Sequence, residues 1–120
     1  MMPTREEIES MSANEMMDAA VWMYVFKGGT FTGKLPKFSS DIAVAWEVVE
    51  KLNSYSYWIS ISNNFMNLEK INWLKGGFLC EYSTGWDEEI DYVIAETAPL
   101  AICRAALLAV QSASPTHDLP

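Results

Sequence analysis

The chain's single histidine, His117, lies beyond Pro115 in the last stretch of the 120 residues. That leaves no Ser-His-Asp, Cys-His or histidine-ligated metal constellation for the body of the fold, so no catalytic or metal-binding residue and no cofactor is assigned. Cysteine is almost as scarce. Cys80 and Cys103 are too few for a disulfide framework, and both read as small apolar core residues of a chain in a reducing cytosol. The opening MMPTREEIES carries acids where a secretory leader would be basic. No apolar run approaches the roughly 20 residues of a membrane-spanning helix. Positive charge is short too: 8 Lys and Arg face 16 Asp and Glu, a net charge of −8, and the cations are scattered from Arg5 to Arg104. Such a chain repels phosphate backbones, which excludes non-specific nucleic-acid binding. A small anionic ligand remains compatible, because a pocket needs only two or three local donors.

What the chain has is apolar mass. Hydrophobic residues make up 50%, with five each of Trp, Tyr and Phe, enough for one packed core spanning residues 1–112, followed by a polar tail at 113–120. Thr4-Arg5-Glu6-Glu7 and Ser12-Ala13-Asn14-Glu15 both fit the capping box, which predicts a short opening turn and then a helix from about Ala13 to about Tyr24. The bulky run from Val21 to Phe26 blurs its end, and Gly28-Gly29 stops it. A Gly-rich loop from Lys27 to Ser39 leads to a second helix opened by Ser40 or Asp41. Ile42, Ala45, Trp46, Val49 and Leu52 mark its core face, with Glu47 and Lys51 paired on the other side. Tyr55, Tyr57, Ile59 and Ile61 then alternate with serines, the period of a half-buried strand, and Trp58 interrupts the serine face. Leu68 to Leu74, Phe78 to Tyr82 and Ile90 to Ala95 are further strand candidates, giving an α+β fold with an antiparallel meander of about four strands and three main helices. Thr97 caps the last helix with Pro99 in its first turn. Its body, ALAICRAALLAV, carries one charge, so it is buried on both sides, by the rest of the fold or by a second subunit in a homo-oligomer.

Several residues are candidates for binding. Gly28 to Lys34, GGTFTGK, matches part of a phosphate-binding loop, but Leu35 stands where a metal-binding hydroxyl is needed and Pro36 displaces the helix. A softer reading keeps Lys34 and Lys37 as cations closing over an anion. Arg104 needs a partner if buried. Either it is exposed or pairs within the fold with one of the many acids, or its planar fork clamps a phosphate or carboxylate. Trp46 reads as core. Trp58, with Tyr57 and Asn63 near the end of its strand, suits stacking and amide hydrogen bonding to a nucleotide-like ligand. Asp87, Glu88, Glu89 and Asp91 group in a turn and read as solvated carboxylates.

Pro36 to Ile42 (PKFSSDI) running into AWEVVEKL (Ala45 to Leu52), the stretch AETAPLAICRAALLAV (Ala95 to Val110), and the opening TREEIESM (Thr4 to Met11) together resemble the phage ABA sandwich domain family. The sequence departs from that pattern at Asn14, where Gly is expected, and in the bulky Val21 to Phe26 segment. The resemblance implies a helix–sheet–helix layered sandwich and a phage or prophage origin, hence the cytoplasm of a bacterial host. It brings no agreed activity and no catalytic residues. In that setting, the residues suggest a binder that sequesters a nucleotide-derived immune signal, a cyclic nucleotide or ADP-ribose derivative, without cleaving it. The alternatives are an acidic accessory protein that inhibits a host protein, and a minor virion component.

Overall fold

A computed structural model describes residues 2–31, 33–63, 77–85 and 89–113. Helix α1 spans Arg5–Ser10 and is closed by a full capping box: the Thr4 hydroxyl accepts from the Glu7 amide, and the Glu7 carboxylate accepts from the Thr4 amide. Helix α2 spans Glu15–Ala20. Its cap is Asn14, whose side-chain oxygen accepts from the Met17 amide, and not Ser12 as the second capping-box match predicts. Asn14 is extended there, so a glycine is not needed and the amide side chain satisfies an amide that glycine would leave open.

Val21–Val25 continue α2 as one π-helical turn. The closing bonds run from Phe26 N–H to the Val21 carbonyl, one residue wider than an α-helix would make it, and from Gly28 N–H to the Trp22 carbonyl, two residues wider. Lys27 turns the chain out at φ 57. The Trp22 ring fills the space beside Gly28, where a Cβ would lie 2.0 Å from Trp22 Cε2, and its Nε1 donates to the Gly29 carbonyl at 2.8 Å. Phe31, Trp22, Phe26 and Phe38 form a ladder of rings with centroids 4.9 to 6.0 Å apart. Phe38 enters the core, and the next residue, Ser39, donates its amide and hydroxyl to the buried Asp18 carboxylate at 2.8 and 2.7 Å.

Helix α3, Ile42–Ser54, is capped by Asp41 through the Ala43 amide. Its buried face is Ala45, Val48 and Leu52. Trp46, read from the sequence as core, is 50% exposed, and Ile42 is exposed as well. Apolar residues cover most of this helix's circumference, so periodicity alone does not fix which face turns inward; packing against the last helix, β1 and the π turn does. The predicted Glu47–Lys51 ion pair is absent among the described residues. A Schellman closure ends α3: Tyr57 N–H donates to the Leu52 carbonyl and Ser56 N–H to the Asn53 carbonyl, with Ser56 left-handed at φ 66. Tyr55 and Tyr57 therefore belong to the helix end and the link, and the strand they were assigned to begins only at Trp58.

Strands β1 (Trp58–Asn63), β2 (Phe78–Ser83) and β3 (Asp91–Ala95) form an antiparallel meander in that order, with Ile61, Cys80 and Val93 in register. Three strands are described; the candidate at Leu68 to Leu74 lies outside the described residues, as do Asn64 and residues 86–88 and 114–120. Helix α4, Ala98–Ser112, is capped by Thr97 through the Leu100 amide and has Pro99 in its first turn. It lies on β2 and β3, with α1, α3 and the π turn around it. Ten of its fifteen residues are buried within this one chain, so its apolarity calls for no second subunit. Cys80 and Cys103 are free and buried; burial pushes the Cys80 thiol up to about 12 and the Cys103 thiol higher still. Such thiols are packing groups, not nucleophiles, at neutral pH.

Arg5 ties α1 to the sheet: its guanidinium meets both Asp91 oxygens at 2.8 and 3.3 Å and Glu9 at 2.9 Å. Burial works to raise the Asp91 carboxyl, but hydrogen bonds from Arg5 and the Tyr92 amide outweigh it and hold it below its ordinary value. A carboxyl that is more acidic folded than unfolded adds stability above its unfolded pKa and loses it as pH falls through the folded one. Asp91→Asn should therefore flatten the acid limb of the stability curve below about pH 4, by about 1 kcal/mol or less because both groups are nearly half exposed; urea titrations between pH 2.5 and 7 measure it. The left-handed Ser56 supplies a second expectation. Ser56→Gly should raise stability by about 0.5–1 kcal/mol, the net of relieved Cβ strain and added chain entropy, read as a higher urea midpoint with unchanged slope.

Candidate functional site

The π turn and the Schellman end of α3 bring together residues that are far apart in sequence. The Tyr55 hydroxyl donates to the Val25 carbonyl, one of the acceptors that a helix end leaves open. This bond sets the ring beside Lys27, whose left-handed backbone turns the chain out of the helix. Lys27 Nζ stands 5.8 Å from the Tyr55 ring centroid, and Lys51 Nζ, one turn back along α3, stands 5.5 Å from it. Tyr57 lies against Tyr55 with centroids 5.4 Å apart and ring planes tilted by 53°. Burial raises both phenols, and Tyr57 is raised further by its neighbour, so both stay neutral donors across the physiological range. Neither lysine forms an ion pair among the described residues. In a chain of net charge −8, two uncompensated ammonium groups around a pair of half-buried rings make a local exception to the acidic surface.

The residues proposed from sequence do not converge. Tyr57 belongs to this cluster. Trp58, adjacent in sequence, points to the outer face of the sheet opposite Ser83 and is 48% exposed. Asn63 ends β1 opposite Phe78. Lys34 and Lys37 are exposed on the loop, and their side chains make no hydrogen bond, ion pair or ring contact among the described residues. At the start of the Gly28 to Lys34 stretch Trp22 occupies the space beside Gly28, and the next helix begins only at Ile42, not directly after Lys34. Groups of His, Cys, Asp and Glu placed to hold a metal ion are absent among the described residues.

Arg104 is half-buried on α4, and none of its hydrogen-bond partners belongs to that cluster. Its Nε and Nη2 donate to the Met11 carbonyl at 3.2 and 2.7 Å, and its Nη1 donates to the Ile94 carbonyl at 2.9 Å. Burial pulls the guanidinium below its ordinary value against the fields of Glu96 and Glu9. The fork thus fastens the α1–α2 linker and β3 to α4 by backbone acceptors, not by the ion pair with an acid that the sequence suggested as an intramolecular partner. Seven residues on, Gln111 Nε2 donates to the Pro3 carbonyl at 2.7 Å. Between those two anchored points lies an open groove of about 710 Å³ with Met2, Pro3, Met11 and Met16 in its lining.

Sequence reasoning missed Lys27, Lys51 and Tyr55. Lys51 has Glu47 at helical spacing, Tyr55 fits the strand period, and Lys27 reaches its place only through a left-handed turn that its residue type does not advertise. It also missed the groove, whose signal was available: five of the seven methionines fall in the first 17 residues.

Arg104→Met keeps the apolar stem but strands two carbonyls. It should cost about 1.5–3 kcal/mol, the range for hydrogen bonds to a charged group, while Arg104→Lys should recover less than half of that because an ammonium cannot fork between the two acceptors. Urea unfolding of the three proteins measures both.

In comparison with known proteins, no curated protein matches the sequence. The fold is similar to that of a phage protein from Bacillus cereus ATCC 14579 solved by crystallography, with a TM-score of 0.66 and 24% identity, covering 85% of this chain and 90% of that one. The family model of the phage ABA sandwich domain matches residues 10–107, and the chain belongs to that family.

Proposed function

We propose that this phage-family protein is a non-catalytic binder that holds a small anionic ligand of the nucleotide type, in the manner of a sponge for a nucleotide-derived signal of host immunity. The observation that carries the reading is the cluster of Lys27 and Lys51 around Tyr55, with Tyr57 packed against it. A base can stack on a tyrosine face, and a phosphate beside two ammonium groups replaces the acidic partners they lack. At about 4 Å an ammonium and a phosphate attract by about 1 kcal/mol in bulk water and several times more where burial lowers the dielectric. Two of them suffice for a selective site without a basic surface. Both phenols are protonated at neutral pH; the Tyr55 proton is donated to the Val25 carbonyl, which leaves the Tyr57 hydroxyl for hydrogen bonding to base or ribose and neither for proton abstraction. The same features support binding without turnover: the thiols are buried, and histidine occurs only at His117.

Calorimetry against a panel of cyclic mononucleotides, cyclic dinucleotides and ADP-ribose derivatives tests the proposal. At least one member should bind one per site and be recovered chemically intact by chromatography. Lys27→Ala and Lys51→Ala should each weaken it about tenfold or more, near 1.4 kcal/mol, whereas Lys34→Ala and Lys37→Ala should change it less than threefold. Binding that is insensitive to Lys27 and Lys51, or none across the panel, removes this site.

A further inference from the structure

The groove between the N-terminal stretch and the α1–α2 linker is separate from the tyrosine–lysine cluster and shares no residue with it. Its apolar lining is Met2, Pro3, Met11 and Met16, and Met16 is 73% exposed. Unbranched thioether chains re-pack at little cost, so a methionine surface accepts apolar side chains of differing shape. The backbone beneath them is fixed. Gln111 holds the Pro3 carbonyl and Arg104 holds the Met11 carbonyl, both from the same buried helix α4. The groove therefore combines an adaptable lining with preset walls.

The one charged residue in its described lining is Glu7. Glu6 and Glu15 are exposed next to lining residues, and none of the three forms an ion pair among the described residues. Arg5 is the one cation between residues 2 and 26, and it is taken up by Glu9 and Asp91. Four apolar side chains among Thr4, Ser10, Ser12 and Asn14, with exposed carboxylates in and beside the lining, are complementary to a helix with apolar residues at i, i+3, i+4 and i+7 and cations on its flanks.

We infer that this groove is a docking site for a basic amphipathic helix of a partner protein. The methionine lining takes the apolar stripe, and Glu6, Glu7 and Glu15 meet the flanking Lys or Arg. Association is faster and tighter at low salt, because these charges are solvent-exposed.

The test uses the full chain and three fluorescein-labelled 14-residue peptides: one with Leu at helical spacing and Lys elsewhere, one with Glu in place of every Lys, and a scrambled Lys/Leu peptide with no apolar stripe. Anisotropy titrations should show the basic amphipathic peptide binding at least tenfold more tightly than either control and weakening as salt rises from 50 to 300 mM. The methyl resonances of Met2, Met11 and Met16 should shift on binding while the ring protons of Tyr55 do not. Met16→Ser, which removes an exposed apolar group without changing charge, should weaken binding about tenfold at unchanged urea midpoint. Equal binding of the scrambled peptide, methyl shifts elsewhere, or indifference to Met16→Ser overturns the inference. So does a dimer in sedimentation that Met16→Ser dissociates, since that would make the occupant a second copy of this chain.

Discussion

A fifteen-residue helix with one charge has to be enclosed, and the rest of this structure follows from enclosing α4. The sheet covers it from one side through Cys80, Tyr82, Val93 and Ala95, and α1, α3 and the π turn close the remainder. At about 25 cal/mol per Å² of apolar surface, burying a helix this apolar is a leading contribution to stability. The one charge on it then becomes the critical detail. Arg104 could not be left unpaired inside, and a carboxylate partner there would also have to be desolvated. Two backbone carbonyls, of Met11 and Ile94, solve the problem with groups that needed donors anyway. The cation is satisfied, and the linker and the sheet are fastened to the helix together.

The stretches that carry the family resemblance prove to be the ones that build this enclosure. In PKFSSDI, Phe38 fills the core beneath Phe26, Ser39 satisfies the buried Asp18, and Asp41 caps α3. In AETAPLAICRAALLAV, Thr97 and Pro99 start the helix and Arg104 anchors it. Both motifs act on packing and polar satisfaction. Of the cluster at Lys27, Lys51, Tyr55 and Tyr57, Lys51 lies inside AWEVVEKL and the other three lie outside the resembling stretches, at the ends of the π turn and of α3.

Local chemistry was legible in the sequence wherever a single residue type decides the outcome. The caps at Thr4, Asp41 and Thr97, the meander of β1 to β3, and the serine face bearing Trp58 all follow from short-range hydrogen bonding or from the period of two. What was not legible has a physical reason in each case. A π turn leaves no spacing signature, because one widened hydrogen bond shifts the register of a helix without changing its composition. The core face of α3 was read to include Ile42 and Trp46, which are exposed, because Ile42, Trp46, Val48 and Val49 are all apolar; only tertiary packing selects Val48. Lys27 and Ser56 adopt left-handed turns that glycine would have announced. The site itself depends on a contact between Val25 and Tyr55, thirty residues apart, which no local pattern encodes.

Arg104 changes meaning once these contacts are considered together. As the lone charge of an apolar helix it invites a role in holding a ligand, yet its fork is spent on the backbone. What it does instead is fix the position of Met11, just as Gln111 fixes that of Pro3 on the same helix. Two points of the groove's wall are thus held to the most deeply buried element, while its methionine lining keeps the freedom to re-pack. Rigidity of the frame with softness of the surface lowers the ordering cost of accepting a partner without prescribing that partner's side chains. The burial of α4 thus specifies a preformed surface as well as a fold.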